Sequence, residues 1–193
     1  MTVDVIDKLV GIAPGSAMDA IRAQRPEART HAQKSYEALF TPAELAGVTT
    51  AERFAVACYV VGLHGEAETA AFYAEGLASD ALRAAVDAAV RQTVTEGPYG
   101  AFPSGPLSAE DRPGPAYAVD AATAAALGPR LAAAFPHVHM LVFHPRDAAP
   151  ESLATVLAAG WTTTDLVTLS QIVSFLSFQI RVVAGFRVLL RAA

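Results

Sequence analysis

Cys58 is the one thiol of this chain and the first candidate for chemistry. It lies in an apolar run, with Glu52 six residues before it and His64 six residues after it. A thiol attacks peroxides or disulfides as the thiolate, which a neighbouring base or cation must favour. Six residues turn an α-helix through about 240°, so an unbroken helix would place neither Glu52 nor His64 on the face of Cys58. Cys58 is therefore either a lone reactive thiol or a buried one that packs as a small hydrophobe.

A second set of polar side chains follows the long apolar segment between residues 162 and 190. Its members recur at steps of three or four residues, which places them along one narrow stripe of a helix: Ser170, Ser174, Ser177 and Arg181. In one interpretation the segment binds a small molecule, whose anionic group Arg181 would hold. Ser174, Ser177 and Gln171 would then line the site. In the other, the stripe is a packing seam in which Arg181 pairs with an Asp or Glu.

The run from Pro136 to Pro145 contains three histidines and is the pattern closest to a metal site. His137 and His144 would share a face in a helix, whereas His137 and His139 would share one in a strand. No regular conformation presents all three, and no acidic residue lies inside the run, so we predict no metal site. The chain also lacks a phosphate-binding glycine loop and a Gly-x-Ser-x-Gly motif, and we predict no cofactor.

The composition limits the classes of function. Of the 193 residues, 53% are hydrophobic and 17% are charged, a more apolar balance than an isolated domain usually has. We therefore expect a single domain over residues 1–193 that forms a homo-oligomer. The net charge of −5 disfavours nucleic acid and membrane surfaces as partners, and a small-molecule ligand remains open. A single cysteine permits no intrachain disulfide and residues 1–8 show no signal peptide, so we expect a cytoplasmic protein.

The elements that would position these residues are helices, and the fold class predicted is all-α. The longest helix should run from Thr162 to Leu190, because this segment has no proline and opens with a Thr-rich cap and Asp165. Polar residues such as Gln179 and Arg187 interrupt it too often for a lipid-facing span, so we expect the central helix of a soluble domain. The other predicted helices cover residues 3–10, 16–24, 26–40, 49–64, 66–77, 80–95 and 151–159, and one begins at 120 and stops at Pro136.

Two further sequence features lie between these helices. Thr41 and Glu44 have the spacing of a capping box, which predicts a helix start at Thr41. Residues 97–115 are rich in glycine and proline and cannot continue a helix. We expect a long irregular connection between two halves, 1–96 and 116–193, that acts as a lid, an interface arm or a disordered segment.

The two halves share a short pattern that predicts an internal repeat. The segments Ala46–Glu52 and Ala159–Asp165 both read as a small residue, a glycine, an apolar residue, two threonines, a further residue and an acid. Each then enters an apolar helix, so the pattern is a helix stop, an apolar staple and a threonine cap. The alignment places Cys58 opposite Gln171 and predicts two related halves that share one core.

Two segments of the chain carry a resemblance to a known family. The segment Glu52–His64 resembles the helix that carries chemistry in the alkylhydroperoxidase AhpD and carboxymuconolactone decarboxylase superfamily, and the segment Phe175–Gly185 resembles the tail of its peroxidase-related members. The chain is most similar to carboxymuconolactone-decarboxylase-like proteins that lack the redox cysteine pair. This resemblance implies an AhpD-like bundle of about eight to ten helices, assembled as a dimer, trimer or hexamer.

The chain departs from the family pattern at the redox motif. Active members have a Glu, a Cys-x-x-Cys pair and a His four residues further on; counting back from His64 places Val60 and Ala57 at the two cysteine positions. A two-cysteine peroxidase cycle is thereby excluded. The resemblance then implies either antioxidant hydroperoxide reduction by Cys58, with Glu52 or His64 handling the proton and an external thiol as reductant, or a catalytically inactive binding or scaffolding subunit. His64 before Gly65 also fits a helix-end histidine near free carbonyl groups.

Overall fold

The computed structural model of the protein describes residues 4–97 and 99–192, and this part of the chain is all-α, as the sequence predicts. It contains nine α-helices, short 3-10 turns at residues 106–110 and 145–147, and no strand among the described residues. The helices are α1 (Val5–Val10), α2 (Ala17–Ala23), α3 (Pro26–Phe40), α4 (Thr50–Leu63), α5 (Ala67–Ala74), α6 (Asp80–Thr93), α7 (Ala121–Phe143), α8 (Pro150–Ala158) and α9 (Thr163–Ala192).

Helix α4 lies at the centre of the bundle. It packs against α5, α6, α7 and α9, and every residue from Ala55 to Val61 is buried. A helix that is apolar on all sides needs neighbours on all sides, and α4 has them. The sequence analysis assigns the central place to α9 instead. That helix keeps one face exposed, where Val167 is 57% and Phe178 is 47% exposed, so the assignment is corrected.

The inner face of α9 belongs to the core. Leu169, Ile172 and Leu176 are fully buried there, and the helix packs against α1, α3, α4 and α7. By length and hydropathy alone α9 could also span a bilayer, and it is the one helix among the described residues that could. A core helix of a bundle passes the same test, which makes this finding weak evidence for a membrane span.

Most helix boundaries follow the caps predicted from the sequence. The Ser16 hydroxyl accepts a hydrogen bond from the backbone N–H of Asp19 at the start of α2, and Pro26 opens α3. Thr49 and Glu52 form a complete capping box at the start of α4, with N···O distances of 2.9 and 3.2 Å. Gly65 follows α4 with a φ of 71°, a left-handed conformation that glycine adopts without strain.

The predicted helix start at Thr41 is wrong. Thr41 lies at the end of α3, and residues 41–48 form an irregular segment. Within it the carbonyl groups of Leu45 and Val48 accept hydrogen bonds from the buried guanidinium of Arg53, at 3.1 and 3.0 Å. A buried arginine needs such acceptors, and it holds the segment in a non-helical path that the spacing of Thr41 and Glu44 does not reveal.

The predicted stop at Pro136 is wrong as well, because α7 continues through Pro136 to Phe143. The break in this helix falls at Gly128, with φ 76° and ψ 162°, directly before Pro129. Glycine is free to adopt positive φ, and proline is favoured in the first turn of the following helical segment. Glycine followed by proline therefore breaks the helix here, whereas the helix continues through Pro136.

The described residues of the segment 97–115 are fastened to the end of α7. The carboxylate of Asp147 accepts a hydrogen bond from the backbone N–H of Ala101 at 3.0 Å, and the Arg146 guanidinium donates to the Tyr99 carbonyl at 2.8 Å. Arg146 also lies over the ring of Phe102, 3.6 Å from its centroid. These contacts hold the described residues of the segment against their own domain, which disfavours the disordered segment; the lid and the interface arm stay predictions.

The two segments aligned in the repeat begin their helices in the same way. At the start of α9 the Thr162 N–H donates to the Asp165 carboxylate at 2.8 Å, and the Asp165 N–H donates to the Thr162 hydroxyl at 3.2 Å. This is the arrangement of Thr49 and Glu52 at the start of α4. The helices then run side by side in the same direction: Gly47, just before α4, lies against Asp165 at the start of α9, and further along His64 and Ser177 approach to 3.5 Å.

Arg130 on α7 joins the starts of these two helices. Its Nε donates to the Glu52 carboxylate at 2.7 Å, and its two terminal nitrogens donate to the carbonyls of Gly160 and Gly47 at 2.6 and 3.0 Å. Gly47 and Gly160 occupy the same position in the alignment. The duplication stays a prediction, but a single guanidinium binds the corresponding carbonyls of both copies.

Candidate functional site

The thiol of Cys58 lies on α4 beside a small cleft. The residue is 9% exposed, and the cleft has a volume of about 350 Å³ between α4, α5 and α6, with Arg83 and Asp87 on its α6 side. Burial is the main cause that raises the pKa of the Cys58 thiol to about 12; the Asp87 carboxylate contributes in the same direction, and Arg83 opposes it to a lesser extent. At neutral pH the side chain is therefore a protonated thiol, which is a poor nucleophile.

Glu52 lies at the start of α4, where its carboxylate already accepts hydrogen bonds. Its carboxylate closes the capping box with Thr49 and accepts the hydrogen bond from Arg130. Six residues along the helix separate it from Cys58, a rise of about 9 Å. Glu52 therefore stabilises the helix start, and the structure does not bring it to the thiol.

His64 lies at the other end of α4, beside α9. Its Nε2 is 3.5 Å from the Ser177 hydroxyl, and burial, together with the charge of Arg181, lowers the pKa of its imidazole. The same rise of about 9 Å separates it from Cys58 along the helix. The three residues named as catalytic candidates, Glu52, Cys58 and His64, thus occupy the start, middle and end of one helix and form no constellation.

The polar stripe of α9 divides between two surroundings. Ser174 and Gln171 line a large cavity together with Ser170, whereas Ser177 faces His64. Arg181 is exposed and donates a hydrogen bond to the Ser177 carbonyl of its own helix at 2.6 Å. It forms no ion pair within the described residues, so the predicted pairing with an Asp or Glu is not seen there, and its role in holding an anion stays a prediction.

The large cavity, called here the α9 cavity, has a volume of about 1050 Å³ and lies between α3, α7, α8 and α9. Its α9 wall runs from Thr163 to Phe178, and the opposite walls come from α3, α7 and the start of α8. The lining residues are Ser35, Ala38, Leu39, His137, Leu141, Ala148, Ala149, Pro150, Ser152, Leu153, Thr163, Leu166, Val167, Ser170, Gln171, Ser174, Phe175 and Phe178. None of them is an Asp, Glu, Lys or Arg, so this is an uncharged, mainly apolar site.

His137 is the one histidine in that lining. It is 6% exposed, and its Nδ1 is buried without a hydrogen-bond partner among the described residues. Burial lowers the pKa of the imidazole, so the ring is neutral at pH 7 and carries one donor and one acceptor. An unpartnered polar atom is rare in a folded interior and points to a missing partner.

The other histidines of the run Pro136–Pro145 face elsewhere. His139 Nε2 lies 3.0 Å from the Thr93 carbonyl, and His144 Nδ1 lies 3.0 Å from the Asp147 carboxylate. The rings of His139 and His144 lie near each other, with centroids 6.1 Å apart, whereas His137 lines the α9 cavity. Within residues 4–97 and 99–192 the structure contains no group of three or more His, Cys, Asp or Glu side chains that could hold a metal ion.

Known proteins add no information to this geometry. Comparisons of the chain with family models, with curated proteins and with solved structures find no match. Function is therefore inferred from the side chains themselves.

The sequence analysis places Ser174 and Gln171 in a possible small-molecule site, but it does not predict which helices face them across the cavity. Four helices build it, and no spacing along the chain shows that α3 and α8 lie opposite α9. One signal was available: His137 and Leu141 are four residues apart and share a helical face, which points away from His139. The metal-site interpretation of the three histidines does not take this shared face of His137 and Leu141 into account.

Proposed function

We propose that this protein is a non-redox member of the alkylhydroperoxidase AhpD and carboxymuconolactone decarboxylase superfamily that acts in the cytoplasm as a homo-oligomeric, small-molecule-binding subunit. The resemblance of the segments Glu52–His64 and Phe175–Gly185 and the all-α fold support the family. The state of Cys58 supports the loss of redox chemistry. The α9 cavity supports the binding role.

The observation that carries this proposal is the environment of the single thiol. Because burial raises the pKa of the Cys58 thiol to about 12, very little thiolate is present at neutral pH. The acid and the histidine that would handle the proton are bound at the two ends of α4. A peroxidase needs the opposite arrangement, an open thiolate with a proton relay beside it.

The exposed side chains of α9 support the oligomer. Val188, Leu189 and Leu190 are 63%, 49% and 39% exposed near the C-terminal end of α9, outside the α9 cavity. Apolar surface of this kind on one element marks a contact with another molecule. A second copy of the chain is the partner that the low charge and high apolar fraction of the whole sequence favour.

Thiol labelling with 5,5′-dithiobis(2-nitrobenzoate) tests the proposal, with Cys58→Ser as the blank. We expect Cys58 to react at least about 100-fold more slowly in the folded protein than in urea, because the thiol is buried and protonated. We also expect wild type and Cys58→Ser to consume cumene hydroperoxide equally slowly with dithiothreitol as reductant. Fast labelling of the native protein that cumene hydroperoxide blocks, with turnover lost in Cys58→Ser, would establish a one-cysteine peroxidase and refute the proposal.

A further inference from the structure

We propose that the α9 cavity binds an uncharged, mostly apolar small molecule carrying a hydroxyl or carbonyl group, and that His137 forms the hydrogen bond to that group. This inference rests on the proposed binding function, since it names the class of ligand. Its evidence is separate from that for Cys58, because the Cys58 cleft and the α9 cavity share no lining residue.

The dimensions of the cavity fit a ligand of this kind. Sites for small molecules commonly enclose about 300–1,000 Å³ and are lined mainly by apolar side chains with a few polar groups. The α9 cavity lies at the upper end of that range. Its walls include Leu39, Leu141, Leu166 and Phe175, and Phe178 is half exposed at the edge. Most of the affinity would come from covering this apolar surface.

The orphan nitrogen of His137 defines the polar part of the ligand. The imidazole is buried in the cavity lining, and Nδ1 has no partner among the described residues. Leaving a buried polar atom unpaired is unfavourable, so a ligand atom that pairs with it gains more than an exposed hydrogen bond would give. The neutral ring donates from one nitrogen and accepts at the other, so a hydroxyl or a carbonyl can satisfy it.

The absence of charge in the lining defines what the ligand lacks. No Asp, Glu, Lys or Arg is among the residues that line the cavity. A carboxylate or an ammonium group would give up part of its hydration there without meeting an opposite charge, which disfavours it relative to a neutral group. Arg181 does not line the cavity, and the anion predicted for it from the sequence would not bind here. The cavity therefore selects for neutral ligands.

Three fluorescent probes that share one ring system test the proposal: pyrene, 1-pyrenemethanol and 1-pyrenecarboxylate. We expect 1-pyrenemethanol to bind about fivefold more tightly than pyrene, because it adds one hydrogen bond. We expect 1-pyrenecarboxylate to bind at least about tenfold more weakly than the alcohol. Equal affinities of pyrene and 1-pyrenemethanol, or tightest binding of the carboxylate, would overturn the proposal.

Variants locate the binding. Ser174→Trp fills the cavity from α9 and should weaken every probe at least about tenfold, whereas Ala84→Trp, at an exposed position of α6 outside the cavity, should change nothing. His137→Leu should weaken 1-pyrenemethanol about fivefold and leave pyrene within about twofold. If His137→Leu does not fold, the wild-type preference for the alcohol and the response to Ser174→Trp still decide the matter.

A second copy of the chain is the competing occupant of this surface. If the wild type binds no probe and sediments as an oligomer that Ser174→Trp dissociates, the cavity is an interface and the proposal fails. Labelling of Cys58 in the same samples separates the two proposals. A protein that binds no probe while Cys58 stays unreactive overturns only this inference, and rapid labelling with intact probe binding overturns only the non-redox function.

Discussion

Replacing Arg130 should lower the free energy of unfolding, because this side chain joins the starts of α4 and α9. Its guanidinium donates hydrogen bonds to Glu52 and to the carbonyls of Gly47 and Gly160, and it lies over the ring of Trp161 with its central carbon 4.1 Å from the ring centroid. Arg130→Met keeps much of the aliphatic stem and removes all of these contacts. Arg130→Lys keeps the charge and loses the planar fork.

The magnitude follows from the number and the exposure of the contacts. Charged hydrogen bonds contribute about 1.5–3 kcal/mol each when buried, but one third of the Arg130 side chain is exposed, so we take about 1 kcal/mol for each of the three. The stacking on Trp161 adds about 0.5 kcal/mol. Arg130→Met should therefore lower the free energy of unfolding by about 3.5 kcal/mol. For Arg130→Lys, which can keep one partner at a time, we expect about 2 kcal/mol.

Urea unfolding followed by far-UV circular dichroism measures these losses without relying on the altered surroundings of Trp161. The matched control is Arg91→Met on α6, whose side chain is exposed and forms no ion pair or hydrogen bond within the described residues. It should change the free energy of unfolding by less than about 0.5 kcal/mol. If Arg130→Met falls within the same margin, the reasoning that one guanidinium fastens the two helix starts is refuted.

Three further predictions concern stability. Tyr73→Phe should cost about 2 kcal/mol in urea unfolding, because it removes the 2.7 Å hydrogen bond to the fully buried amide of Gln179; a loss below about 0.5 kcal/mol would contradict this. Gly185→Ala should raise the free energy of unfolding by about 0.7 kcal/mol, since Gly185 lies inside α9 with open space around it. Gly65→Ala should lower it by about 1 kcal/mol, because φ is 71°; shifts of equal sign in the two glycine variants would refute the conformational argument. The pKa of the His137 imidazole is lowered by burial, as are those of His64 and His139. Below about pH 6.5 the unfolded chain then binds more protons than the folded one, so stability should fall as the pH falls through this range, and His137→Leu should flatten that dependence.

The sequence predicts the fold well where local chemistry decides the structure. The caps at Ser16 and Thr49 and the stop at Gly65 each depend on a few neighbouring residues, and all three are confirmed. The prediction fails where a distant side chain decides. The segment after Thr41 is held by Arg53, whose partners no local pattern names. The all-α class follows from the first kind of evidence, and the AhpD-like bundle implied by the resemblance stays a prediction.

The candidate site shows the same division. That Cys58 cannot share a face with Glu52 or His64 follows from helix geometry, and the structure gives each of them a different neighbour. That Cys58 is buried, and that His137 lines a cavity, depends on which helices pack across from them. Such packing depends on all the helices of the bundle together, whereas the composition indicates only how much of the chain is buried on average.

The Cys58 cleft and the α9 cavity occupy corresponding positions in the predicted repeat. Cys58 and Gly62 on α4 align with Gln171 and Phe175 on α9; the first pair lines the Cys58 cleft and the second lines the α9 cavity. On α4 this face is covered by α5 and α6, which leave about 350 Å³, whereas on α9 the same face opens into about 1050 Å³. The position that carries the thiol in one copy is thus closed, and its counterpart is open and uncharged. If the halves arose by duplication, binding at the second copy and loss of reactivity at the first would be two outcomes of covering one helix face and leaving the other free.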